Sequence, residues 1–105
     1  MFVTALVEER LSVIPRLCDK YGVRSLAVFG SAASDRFHPS RSDLDLLVEF
    51  RPMPPAQHAD SFFGLWEELE SLFGVPVDLI EAAPIENPYF LEVVQATKET
   101  LYVAD

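Results

Sequence analysis

Apolar positions recur along this chain with two alternating periods. Leu11, Ile14, Leu17, Cys18 and Tyr21 fall at helical spacing, so this segment is predicted as an amphipathic helix. Ser12 is placed to cap it, Pro15 then sits in the first turn where proline is tolerated, and Gly22 ends it. The residues before it form a separate helix or a kinked extension. Arg24 to Phe29 reads as a strand, and a second runs from Ser42 or Asp43 to Phe50. Arg51 to Ala59 carries Pro52, Pro54 and Pro55, which predicts a loop. Pro52-Met53-Pro54-Pro55 fits a PxxP ligand pattern, but a stiff connection is the plainer reading. With Asp60 or Ser61 as cap, Phe62, Leu65, Trp66, Leu69, Leu72 and Phe73 mark a longer amphipathic helix. Glu67, Glu68 and Glu70 form its wet side, and Gly74 stops it. Val75 to Ile80 is a third strand. Asn87-Pro88 opens a last helix as cap and first position, with Phe90, Val93, Val94 and Thr97 on its inner face. Leu101 to Val103 adds a short edge strand. The expected fold is α+β: a single domain over residues 1–105, with a small mixed sheet flanked by helices.

Composition narrows the function. Half of the 105 residues are hydrophobic, so the chain can bury a core. The net charge of −9, with eight Lys and Arg in all, argues against a nucleic-acid groove. It suits a basic partner, although solubility explains it equally well. The lone Cys18 excludes an internal disulfide, and its helical neighbours make it a small core residue. No apolar run reaches membrane length and no leader pattern opens the chain, so the expectation is a soluble, cytoplasmic protein. His38 and His58 are expected to be solvent-exposed loop residues. Phe62, Phe63 and Trp66 cannot all share one narrow stripe, which leaves some of them for a partner surface.

The chemistry concentrates in two places. Leu26-Ala27-Val28-Phe29 runs into Gly30-Ser31, where a strand turns on glycine toward a helix start and can offer N–H groups and a hydroxyl to an anion. Downstream, Ser42-Asp43-Leu44-Asp45-Leu46-Leu47-Val48 puts Asp43 and Asp45 on one face of a buried strand. Two adjacent carboxylates there repel each other and lose hydration unless a cation compensates. Mg²⁺ is the usual answer, a hard ion shared between carboxylates and substrate phosphates. A phosphate turn followed by a metal strand suggests phosphoryl or nucleotidyl transfer. Taken alone, Gly30-Ser31 is an ordinary strand-to-helix turn, and Asp78 an ordinary surface aspartate.

These residues resemble the signature of the polymerase-β-type nucleotidyltransferase superfamily. With the short chain and Val75-Pro76-Val77-Asp78-Leu79-Ile80, they look like its minimal branch, the antitoxins of MNT/HEPN toxin–antitoxin pairs. The resemblance runs from about Leu11 to the C-terminus. It implies a polymerase-β-like fold and nucleotide contacts from Gly30 and Ser31. It also implies that Asp43, Asp45 and Asp78 hold Mg²⁺ or Mn²⁺, with Asp78 helping to activate the attacking hydroxyl. ATP is the implied substrate, and a tyrosine on a cognate HEPN toxin the implied acceptor, in a toxin–antitoxin hetero-oligomer. Two features depart from the family pattern. Ser34 stands where an arginine often serves the phosphates, a role that Arg36 or Arg41 could take. The loop between Ser31 and Asp43 is also one residue longer than the common form. Two other readings stay open: an inactive or weakly active antitoxin that neutralises its toxin by binding only, and a small-molecule transferase of the antibiotic-modifying kind.

Overall fold

The computed structural model describes residues 5–30, 43–81 and 88–104. Along the chain run α1 (Ala5–Glu8), α2 (Ile14–Lys20), β1 (Val23–Phe29), β2 (Leu44–Phe50), α3 (Pro55–Phe73), β3 (Val77–Glu81), α4 (Pro88–Thr97) and β4 (Glu99–Val103). The strands form one mixed sheet in the order β3-β2-β1-β4, as expected of an α+β fold. β1 is antiparallel to β2 and to β4, whereas β2 and β3 are parallel. A parallel pair needs a crossover, and α3 supplies it.

Strand alternation assigns the two faces. Leu26 and Val28 of β1, Leu44, Leu46 and Val48 of β2, and Val77 and Leu79 of β3 pack with Ile14, Leu17 and Cys18 of α2 and Leu65, Leu69 and Phe73 of α3. The alternate residues Ala27, Phe29, Leu47 and Ile80 pack with Val94 of α4. The sheet therefore lies between α2 and α3 on one side and α4 on the other. Cys18 is fully buried, and that burial pushes its thiol up to about 12, as suits a core residue.

Several boundaries differ from the sequence reading. Leu11 to Val13 are turn residues between two short helices, with the Val13 N–H donated to the Arg10 carbonyl. α2 consequently starts without the Ser12 cap; Val13 occupies the cap position and makes no side-chain bond to the helix. Val7 of α1 enters the core and Leu11 stays exposed. The loop expected over Arg51 to Ala59 ends at Pro54, because Pro55 opens α3. Proline fits a first helical position, where its missing N–H has no partner to lose, and Pro54 ahead of it is extended at φ −59 and ψ 148. Asp60 and Ser61 are therefore interior helix residues and not caps. His58 also lies on α3, with its ring against Phe50 and its Nε2 at 2.5 Å from Glu81 Oε1, so it is no free loop histidine. β3 begins two residues later than expected, since Val75 and Pro76 precede the ladder. Asn87 and Ser42 lie outside the described residues.

Candidate active site

Parallel pairing of β2 with β3 sets Asp45 directly opposite Asp78. On its other side Asp45 pairs with Phe29, the residue before Gly30. One short stretch of sheet, at the end of β1 and the start of β2 and β3, thus gathers Gly30, Asp45 and Asp78, with Asp43 leading into β2. The alternation that sends Leu44 and Leu46 to the α2–α3 side puts Asp45 on the α4 side. Asp43 and Asp78 are exposed and Asp45 is half-buried. Burial first, and then the charges of Asp78 and Asp43, raise the Asp45 carboxyl from 3.8 to about 6.

Gly30 closes the other wall. Its φ of +67 is a conformation that residues with a Cβ rarely adopt, and a Cβ placed there would lie 2.6 Å from Asp45 Oδ2. Glycine is therefore required twice, for the turn and for the space that the carboxylate fills. The Gly30 N–H is donated to Thr97 Oγ1 at 2.9 Å, so this donor is turned inward, toward the end of α4. Ser31, Ser34, Arg36 and Arg41 lie outside the described residues.

The β3 side is held from α3. As an edge strand, β3 has outward backbone groups with no neighbouring strand. Trp66 Nε1–H donates to the Val77 carbonyl at 2.7 Å, and the Val77 N–H donates to Glu70 Oε2 at 2.9 Å. Both bonds fix the residue just before Asp78. Sequence reading placed Trp66 in the core and Glu70 on the wet face, and missed the clip because it depends on where β3 falls beside α3. Thr97 was likewise read only as an inner-face residue. Its hydroxyl has a partner 67 residues away, which no local pattern reveals.

The donor set fits a hard divalent cation. Asp45 and Asp78 are paired at one end of the strands with Asp43 just ahead of β2, and Asp45 is disfavoured as an anion by both burial and like charge, which a cation would relieve. Among the described residues, no group of three or more His, Cys, Asp or Glu is placed to hold a metal ion as it stands. A groove of about 460 Å³, lined by Met53, His58, Phe62, Phe63 and Glu81 among others, lies at the other end of β3 and shares no residue with this acidic edge.

The profile of the nucleotidyltransferase domain family matches residues 12–103. The chain belongs to that family. A protein of Methanocaldococcus jannaschii assigned as a protein adenylyltransferase is 38% identical to this nucleotidyltransferase over 87 residues, 83% of each chain. The protein adenylyltransferase MntA of Thermococcus cleftensis is 33% identical over 87 residues, 83% of this chain and 81% of MntA. Among solved structures, a toxin–antitoxin with AMP-PNP superposes with a TM-score of 0.67 at 18% identity, covering 90% of this chain and 73% of that one. The complex of tri-AMPylated Shewanella oneidensis HEPN toxin with MNT antitoxin gives 0.62 at 16% identity, covering 92% and 72%. At those identities the structures establish the shared fold. They bear out the minimal nucleotidyltransferase architecture read from the sequence.

Proposed function

We propose that this nucleotidyltransferase is the antitoxin of an MNT/HEPN pair and transfers AMP from ATP to a tyrosine hydroxyl of its cognate HEPN toxin. The observation that carries the reading is the register that sets Asp45 opposite Asp78, beside the Gly30 turn. The names of the relatives support protein adenylylation, and the complexes sharing the fold support a HEPN partner. Asp43, Asp45 and Asp78 are the residues that would hold Mg²⁺ or Mn²⁺, which when bound supplies charge neutralisation at the triphosphate. Gly30 and Ser31 would contact the phosphates, as the family resemblance implies, and Arg36 or Arg41 would serve for the arginine that Ser34 replaces. Asp78 is exposed, so it can reach an acceptor from another chain. It accepts the proton of the tyrosine hydroxyl as that oxygen attacks the α-phosphate and pyrophosphate leaves.

The test is incorporation of label from α-labelled ATP into the cognate HEPN toxin, sought as the product of a neighbouring gene, with Asp45→Asn as the inactive control. Transfer by wild type and none by the variant is the expected result. Label incorporated equally by both would reject the assignment. Ser34 favours a second reading, neutralisation by contact alone. In that case Asp45→Asn still silences the toxin, and wild type incorporates no label.

A further inference from the structure

The β1–β4 ladder pairs Ala27 with Thr100 and Val28 with Glu99. Carried further in the same antiparallel register, it brings Gly30 opposite Thr97. There the second strand no longer exists, because Thr97 is the last residue of α4. The Gly30 N–H nonetheless finds its acceptor, the Thr97 hydroxyl at 2.9 Å. A side-chain oxygen thus makes the final rung that a strand carbonyl would otherwise make.

That rung falls at a consequential place. Gly30 has the positive φ that lets the chain leave β1, and its backbone is the wall against which Asp45 Oδ2 rests. Glycine has the widest choice of backbone conformations of any residue, so an unanchored Gly30 would swing. We propose that Thr97 is a positioning residue for nucleotide binding: its hydroxyl fixes Gly30, and through it the space left to Asp45. The proposal rests on the nucleotidyltransferase reading of Gly30 and Asp45 given above. Thr97 is a positioning residue and not a catalytic one: it acts on the nucleotide through Gly30.

Thr97→Val keeps the shape of the side chain and removes the acceptor; Thr97→Ser keeps the acceptor and removes the methyl group. Three measurements are made on each full-length protein: hydrogen exchange at the Gly30 amide, ATP binding by titration in Mg²⁺, and urea denaturation. The Gly30 amide should be protected in wild type and Thr97→Ser and released in Thr97→Val. ATP affinity should fall about five- to tenfold in Thr97→Val, under conditions where denaturation shows it folded, and stay within about twofold in Thr97→Ser. A merely structural threonine would lower stability without separating the two variants in ATP affinity, and that result overturns the proposal. So does a Gly30 amide that exchanges at the unprotected rate in the wild-type protein, for which no variant need fold. A wild-type protein that binds no ATP overturns the positioning role together with the reading beneath it, and the wild-type titration alone distinguishes that case.

Discussion

Gly30 and Gly74 share nearly the same backbone, φ +67 and φ +69, yet their surroundings differ. A Cβ at Gly74 would meet nothing within 4 Å, whereas at Gly30 it would meet the Asp45 carboxylate. Gly74→Ala should therefore carry only the strain of a left-handed alanine, about 1 kcal/mol, with ATP binding retained. Gly30→Ala should cost more than that and abolish ATP binding. Urea denaturation and ATP titration of both variants check this, and equal loss of affinity in the two would refute it. Asp45 makes a second prediction at this scale. Its folded carboxyl is raised to about 6 from 3.8, so the folded state holds the proton more tightly than the unfolded chain. That stability is fully present below about pH 4 and is lost as pH rises through about 6. Because the side chain is half in water, the effect is discounted to about 1 kcal/mol. In chelator, Asp45→Asn should be more stable than wild type at pH 7, with the difference gone or reversed at pH 4. Parallel denaturation curves across that range would argue against a strained Asp45.

At the scale of elements, the inner stripe of α3 was readable from Phe62 to Phe73, while its start was not. Prolines speak against a helix interior but also favour a helix start, and the choice at Pro55 depends on how the chain leaves β2. The end of β3 beside Asp78 depends on α3 through Trp66 and Glu70. Trp66→Phe keeps an aromatic ring and deletes the donor to Val77. It should lower stability by about 1 kcal/mol. Transfer of AMP should slow through a misplaced Asp78, while ATP affinity, set on the β1 side, holds. An unchanged transfer rate in a variant of reduced stability would show the clip to be structural only.

At the scale of the molecule, an excess of acidic residues gives the chain a net charge of −9. The relevant consequence is local: folding brings Asp78, distant along the chain, beside Asp45 and its sequence neighbour Asp43. A divalent cation that binds only the folded state should stabilise it by about 2.7 kcal/mol at a hundredfold excess over its dissociation constant. Thermal melts with Mg²⁺ and with chelator should therefore separate for wild type, with or without ATP, and coincide for Asp45→Asn. Coincident wild-type curves in both conditions would remove the carboxylates from consideration as a metal site. Across the fold, Tyr21 donates its hydroxyl to Glu68, which also accepts from Lys20, and so ties α2 to α3. Phe63, 60% exposed, is the part of the aromatic group that stays available to a partner. Among the described residues, no helix is long and apolar enough to cross a membrane.

The sequence by itself determined the element types, the place of Asp45 in a largely buried strand with Asp43 just ahead of it, and the strand-to-turn position of Gly30. Each of these follows from period, spacing and the conformational freedom of one residue, which are properties of neighbours along the chain. The parallel pairing that sets Asp78 opposite Asp45 was not derivable that way, and Asp78 stood out only through resemblance to a family. The Thr97 hydroxyl at Gly30 and the Trp66–Glu70 clip on Val77 were decided by tertiary structure alone. Strand register and helix placement are settled by which faces bury together, and that is a property of the whole sheet and its covering helices.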